Sequence, residues 1–384
     1  TNYKKPDGTQ VPGILSANPL WTAEFWPYED QVDRTISNLT FNYKPVEWLK
    51  FTYRFGHDYY VDKRYEIVPG PKGVVGESLS GLSAVGYMEQ RRFINRVINS
   101  NFFATIEKQV MPDLKATVRV GHELFETENN YSYNYGEGFV TPGFYSFSNV
   151  TLVRISENTF RRRLIGAFAD ATLDYKNFLY LNLTARNDWT STLPKGNNSF
   201  FYPSASVSFI FNDVLNLPSQ LSYGKIRAAY GQVGKDTEPY RTAATYTTAT
   251  GFPINNQVGY VRSAAKGSDQ LVPEITTTLE FGTELKLFEN RLGVDFTWYK
   301  ANSRDQILAV PVSNTTGYSS IWINAGEIEN KGIEMALSGT PIQIGDFRWD
   351  AMINFTRNRN MVVDISEGVT DIALATQSGY VNSA

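Results

Sequence analysis

His57 and His122 are the only imidazoles in this 384-residue chain, and cysteine is absent. That inventory decides much of the chemistry in advance. Without cysteine there is no thiolate nucleophile, disulfide framework or cysteine-ligated zinc or iron–sulfur site. Two histidines are too few for a multi-histidine metal centre. Serines are plentiful, yet no G-x-S-x-G elbow surrounds one. Neither a G-x-x-x-x-G-K-[ST] loop nor a dinucleotide fingerprint is present. His57 lies two residues from Phe55, and His122 two residues from Val120. In an extended chain each therefore shares a face with an apolar neighbour, and an interfacial, non-catalytic place is expected for both. The expected inventory holds no catalytic residue, no cofactor and no metal.

What remains is charge and aromatic rings. Lys+Arg is 36 against Asp+Glu 39, a net charge of -3. Such a balance lacks the basic footprint of a nucleic-acid binder. Rings are abundant: 7 Trp, 23 Tyr and 24 Phe make 14% of the chain. One aromatic set, Trp26, Tyr131, Tyr133, Tyr135, Tyr145 and Tyr240, falls in Gly- and Asn-rich stretches, with Trp21, Phe25, Tyr28, Phe139, Phe144, Phe147 and Tyr246 nearby. Such rings stack on sugars, contact peptide backbone, hold a partner, or simply pack on one another.

The elements that must position these groups read as strands. Alternation of apolar and polar residues recurs along the chain, and helical periodicity is hard to find. Leu49, Phe51, Tyr53 and Phe55 oppose Lys50, Thr52, Arg54 and Gly56. Leu179, Leu181, Leu183 and Ala185 oppose Tyr180, Asn182, Thr184 and Arg186. Leu292, Val294, Phe296 and Trp298 oppose Arg291, Gly293, Asp295 and Thr297. Twelve strands are expected, near 32–43, 48–61, 91–106, 113–127, 159–174, 178–188, 200–211, 221–232, 275–288, 291–306, 322–340 and 346–360. In 91–106, Arg96 falls on the otherwise apolar face, which calls for a bulge or a snorkelling side chain.

Connections alternate in length. Short turns are expected near 44–47, 107–112, 175–177, 212–220, 288–290 and 341–345; long loops near 62–90, 128–158, 189–199, 233–274 and 307–321. Rings such as Tyr43, Trp48, Tyr175, Phe288, Phe347 and Trp349 flank the short turns. No run approaches the ~18 apolar residues of a membrane helix, but a transmembrane strand needs only ~9–11 residues with every second one apolar. The pattern is that of an all-β, transmembrane antiparallel β-barrel with a girdle of rings beside its short turns. The competing reading, rings capping a soluble core, fails on the other face, which is too polar to pack against a second sheet.

Several stretches resemble the SusC/RagA-type TonB-dependent transporters, large outer-membrane nutrient importers of Bacteroidetes-like bacteria. The strongest is Asn324-Ala325-Gly326-Glu327-Ile328-Glu329-Asn330-Lys331-Gly332-Ile333-Glu334. Pro273-Glu274 with Glu280-Phe281-Gly282, Arg186-Asn187-Asp188-Trp189, Phe201-Tyr202-Pro203-Ser204 and Arg227-Ala228-Ala229-Tyr230-Gly231 follow the same order as in that family. The resemblance implies a barrel of about 22 strands, short periplasmic turns and long extracellular loops. Residues 1–384 then form a partial barrel domain carrying about 12 of those strands, opening in a loop around Asn18-Pro19-Leu20, with the plug and N-terminal regions outside this chain. It implies an outer-membrane active transporter, not an enzyme, that imports oligosaccharides or oligopeptides. Its partners would be a SusD-like surface lipoprotein, the TonB complex through regions not in this chain, and outer-membrane lipid and lipopolysaccharide. A non-transporting structural or adhesive barrel is the alternative.

Within that frame, one parity row carries Arg54, Arg119, Arg186, Asp188, Glu280, Glu284, Asp295, Arg348 and Asp350. These charges suit a polar lumen wall that grips a plug and passes hydrophilic cargo, or ordinary cross-strand pairing, and both can hold. Arg91-Arg92 and Arg161-Arg162-Arg163 sit where strands leave long loops. They are placed either to meet lipopolysaccharide phosphates or to end solvated.

Overall fold

The computed structural model describes residues 23, 26–68, 86–141, 143–212, 214–215, 217–249, 252, 254–255 and 257–365. Trp21, Phe25 and the Asn18-Pro19-Leu20 stretch lie outside the described residues. Twelve antiparallel strands form one sheet in simple sequence order. They are β1 (Tyr28–Val46), β2 (Leu49–Val68), β3 (Tyr87–Met111), β4 (Leu114–Phe139), β5 (Val150–Tyr175), β6 (Leu179–Thr190), β7 (Ser199–Ile210), β8 (Leu221–Lys235), β9 (Glu274–Leu287), β10 (Leu292–Arg304), β11 (Glu327–Ile344) and β12 (Phe347–Asp364). The chain divides into two compact units. The first comprises Thr1–Leu39, Arg54–Ser100 and Phe125–Arg161; the second comprises Thr40–Tyr53, Asn101–Leu124 and Arg162–Ala384.

Short and long connections alternate as the sequence suggests except around β7, where the expected long loop (191–198) is shorter than the expected short turn (211–220). At the β5–β6 turn Lys176 and Asn177 both adopt positive φ (50° and 58°). That is the geometry of the two-residue turn that matches strand twist. The Asp174 carboxylate accepts from the Asn177 amide at 2.9 Å and supports the strained pair. The longest excursion, between β8 and β9, carries a small hairpin, Tyr246–Thr248 with Tyr260–Arg262.

Two boundaries differ from expectation. The stretch expected as a loop at 128–158 is largely strand: β4 runs to Phe139 and β5 begins at Val150. Its Asn and Gly content suggested a loop, but Tyr131, Tyr133 and Tyr135 alternate, and tyrosine favours strands. The strand expected at 322–340 is two. Ser320–Asn324 pairs with Ile307–Pro311 outside the main sheet, and β11 starts only after Gly326, whose φ of 96° breaks the extended run.

Burial is inverted relative to a soluble sandwich. On the apolar face Leu183 (44% exposed), Phe281 (48%) and Ile353 (62%) face outward. Among the described residues the one buried apolar cluster is small: Leu193, Phe200, Leu271 and Ile307, with Leu164, Tyr202 and Trp322 packed against it. Burying each such side chain gains ~1.5–3 kcal/mol, so exposing this many is sustainable only where the surrounding medium is itself apolar.

Candidate functional site

The first unit gathers rings and charges onto one strand face. Side chains two residues apart share a face, so Tyr131, Tyr133 and Tyr135 of β4 stack as a ladder, with successive centroids 6.5 Å apart. Neighbouring strands extend it. From β3, Phe93 meets Tyr131 at 4.8 Å and Tyr87 meets Tyr135 at 5.6 Å. Guanidinium groups lie over the rings: Arg64 over Phe93 (5.0 Å), Arg91 over Tyr133 (5.7 Å) and Arg154 over Tyr135 (5.8 Å). Each such contact is worth about 0.5–1 kcal/mol when exposed and more when desolvated.

Carboxylates fix this arrangement. The Tyr133 hydroxyl donates to Glu89 at 2.7 Å, and Arg91 pairs with the same carboxylate. Trp26, just before β1, donates its indole N–H to Glu66 at 2.9 Å. β3 and β4 run 25 and 26 residues, about 85 Å at ~3.3 Å per residue, whereas ~9–11 residues suffice to cross a bilayer. The ladder lies at the ends far from the short turn, so it stands outside the hydrocarbon. Burial, followed by the Glu66 and Glu89 charges, pushes the Tyr87 hydroxyl up to about 12. Burial and the bond to Glu89 likewise raise Tyr133. The surface presents neutral phenols, cations and carboxylates side by side.

Four of the six aromatic candidates, Trp26, Tyr131, Tyr133 and Tyr135, are therefore joined by ring contacts or by the Glu66–Arg91–Glu89 cluster. They are not loop residues: the three tyrosines are on a strand, and deleting them would remove ladder hydrogen bonds. Tyr145 is apart, edge-on to Phe139 at 5.2 Å. Tyr240 lies in the excursion after β8, with φ of 69°. Sequence reasoning missed Tyr87, Phe93, Glu89 and Arg64; their shared parity with the tyrosines across paired strands was the available signal.

The second unit handles charge differently. Arg186 of β6 reaches across β5 to Glu123 of β4 (2.9 Å) and bonds Asp188 (2.8 Å), which is only 3% exposed and also accepts from Tyr202. It passes over Gly166, where a Cβ would collide with the guanidinium and with Asp188. Arg227 of β8 repeats the device. It crosses Gly282 of β9 to Asp295 (2.8 Å) and Thr297 (2.6 Å) of β10, and a Cβ on Gly282 would lie 2.5 Å from Arg227 Nε. Lys225 pairs with Glu284 at 3.3 Å. Glu280 sits on the same face of β9 as Glu284, near Arg227. Arg348 pairs with Asp350 at 2.9 Å near the last short turn. Arg119 is exposed on β4, and Arg54 is exposed on β2 within the first unit.

Two groups of sequence candidates meet carboxylates here. Arg96 pairs with Glu128 at 2.6 Å and Glu126 at 3.5 Å, beside Arg161 on Glu126 at 2.8 Å. Of the arginines offered to lipid phosphates, Arg91 and Arg161 are already matched by carboxylates. Arg162 makes a two-point pair with Asp236 (2.8 and 2.7 Å), whose carboxylate also accepts from Thr190 and from Thr192 (3.0 Å). At the other end of the same excursion, Glu274 accepts the Ile307 amide at 3.0 Å and pairs with Lys235 at 3.3 Å. The histidines sit among rings, His57 by Tyr59 (6.3 Å) and His122 by Phe102 (6.0 Å).

With this geometry in view, the chain belongs to the family described as TonB dependent receptor-like, beta-barrel, whose model matches residues 1–380. It is an outer-membrane β-barrel chain of that family. It is similar to TonB-dependent receptor P3 of Formosa agariphila, 30% identical over 220 residues, 56% of this chain and 22% of that protein. It is similar to SusC of Bacteroides thetaiotaomicron, 24% identical over 221 residues, 54% of this chain and 22% of that protein. In fold it is similar to a chain of the RagAB peptide importer in its closed-closed state, with a TM-score of 0.83 at 20% identity, covering 94% of this chain and 40% of that one. The stretches matched in the two relatives thus amount to about a fifth of each relative's length.

Proposed function

We propose that the protein to which this barrel region belongs is a TonB-driven importer that captures an oligopeptide or oligosaccharide together with a SusD-like surface lipoprotein. The observation that carries the reading is the ladder Tyr131–Tyr133–Tyr135 interleaved with Arg64, Arg91 and Arg154. Flat rings with cations and carboxylates at their edges offer stacking and hydrogen bonding together, which suits a polar chain-like cargo. Its place beyond the hydrocarbon, toward the long-loop ends, supports reading it as a capture surface rather than part of a pore constriction. The outer membrane has no nucleotide supply, so moving large cargo through a plugged barrel draws on work delivered by TonB. The similarity to SusC and to a chain of the RagAB peptide importer supports this reading.

The test is uptake of peptide and oligosaccharide pools by cells carrying the complete protein, with and without TonB, alongside pull-down in mild detergent. Uptake that stops without TonB, and a lipoprotein that co-purifies, are the expected results. Uptake that persists without TonB would overturn active transport. A barrel that never yields a surface partner would point to the adhesive alternative.

A further inference from the structure

The apolar face of β10–β12 ends in a row of cations. Trp298 stacks on Phe281 at 5.9 Å, which marks that face. Lys300 lies two residues beyond Trp298, and the register places Lys300 opposite Lys331 and Lys331 opposite Arg359. One step toward the short turns, Ile333 stands between Trp298 and Arg357. Strands are ~4.8 Å apart, so three cations occupy successive positions in one row. Like charges placed directly opposite destabilise a sheet. Glu329 relieves part of this, bonding Lys300 at 2.8 Å and Lys331 at 2.9 Å. Neither Arg357 nor Arg359 has an ion-pair partner among the described residues. Arg304 farther along the same face is matched to Glu327 at 3.5 Å, so among the described residues Lys300, Lys331, Arg357 and Arg359 stand against the single carboxylate of Glu329.

The height of the row identifies what completes it. From Phe347 beside the short turn to Arg357 is about 34 Å along β12, or about 26 Å along the membrane normal at ~40° tilt. A barrel's apolar band is ~25 Å tall. Between those ends this face carries Trp349, Ala351, Ile353 and Phe355. The cations therefore begin where hydrocarbon gives way to headgroups, on the long-loop side. We infer that this row is a binding site for the phosphates of an outer-leaflet phosphorylated glycolipid, the lipid A of lipopolysaccharide. Guanidinium grips phosphate at two points and lysine adds point charge. The acyl chains then lie along Ile333, Trp298 and Phe281. The assignment needs only membrane placement, so it stands or falls apart from the transport reading.

The test uses the full-length protein in detergent. Purified lipid A, dephosphorylated lipid A and inorganic phosphate are each titrated, with binding followed by native mass spectrometry and barrel integrity by heat-dependent gel mobility. Lipid A should bind, while the dephosphorylated form and free phosphate bind far more weakly. The triple variant K300Q/K331Q/R359Q should lose roughly a hundredfold in affinity, at about one tenfold step or less per cation. Lys176→Gln at a short turn should lose nothing, and the charge-keeping variant K300R/K331R should retain binding even if the neutral variant folds poorly. Equal binding of lipid A and its dephosphorylated form, or loss in the charge-keeping variant while its barrel remains folded, would overturn the inference.

Discussion

The two charged faces described above use arginine in opposite ways. Around Arg186 and Arg227 each guanidinium crosses a glycine and ends on two carboxylates or on a carboxylate and a hydroxyl. Around Arg64, Arg91 and Arg154 the guanidinium groups lie over rings whose edges remain polar. The first arrangement satisfies its charges internally and holds strands to one another. In the second, Arg64 and Arg91 also meet carboxylates, Asp62 at 2.7 Å and Glu89, but each guanidinium lies against a ring, so rings, cations and carboxylates share one surface. A polar wall and the proposed binding surface thus differ less in composition than in where the carboxylates stand.

The sharpest way to break that comparison is Arg186→Ala. It leaves the nearly buried Asp188 facing the remaining Tyr202 alone, and breaking a buried pair costs about 3–5 kcal/mol. Urea titration of folding into lipid vesicles should show that loss, while cargo affinity of the folded fraction stays unchanged. An affinity loss without a stability loss would make Arg186 part of the binding surface.

Next in size is the face test. Leu181→Arg puts a charge on the apolar face and should cost ~2–4 kcal/mol near the bilayer midplane. Thr184→Arg, on the polar face beside Asp170 (3.3 Å from the threonine hydroxyl), should cost far less in the same titration. Thr297 is a poor comparator, since its hydroxyl accepts from Arg227 and it is buried. Equal penalties at 181 and 184 would mean the faces are wrongly assigned.

The proposed binding surface predicts the reverse of Arg186. Replacing Tyr131, Tyr133 and Tyr135 together by serine should weaken cargo capture by about tenfold or more, at ~1 kcal/mol for each effective ring. Isothermal titration with the captured cargo would read it, and vesicle folding should change little.

The smallest effect is a titration. The Tyr87 hydroxyl sits above its unfolded value of about 10, at about 12. The neutral form is favoured in the fold, so its stabilisation is intact below pH ~10 and disappears as pH rises through about 12. Tyrosinate absorbance should show one fewer late-titrating phenol in Tyr87→Phe, and alkaline unfolding of that variant should begin at slightly higher pH.

Much of the sheet is legible from alternation alone, since each strand carries its own apolar and polar rows. The pairing of charges is not. Arg161 and Arg162 are adjacent in sequence yet serve Glu126 and Asp236 respectively, because neighbours on a strand point to opposite faces. Arg186 finds Glu123 only once β4, β5 and β6 are in register, and sequence spacing carries no such information. The tyrosine ladder was visible as residues and misread as an element, because Asn and Gly outweighed a period of two.

The clamps at Asp236 and Glu274 bear on how such a chain changes over time. Both ends of the 236–273 excursion are pinned by side chains of the strands or of the next loop. Within it Leu271 packs in the buried cluster and Ala265–Lys266 pairs with Ser320–Ile321, so the part open to exchange as a cassette is the small hairpin around Tyr246–Thr248 and Tyr260–Arg262. Insertions there add little closure cost, since each doubling of loop length costs only ~0.6 kcal/mol, and the strand register is held outside the exchanged segment. Change in that hairpin and upkeep of the strand register are thereby mechanically uncoupled.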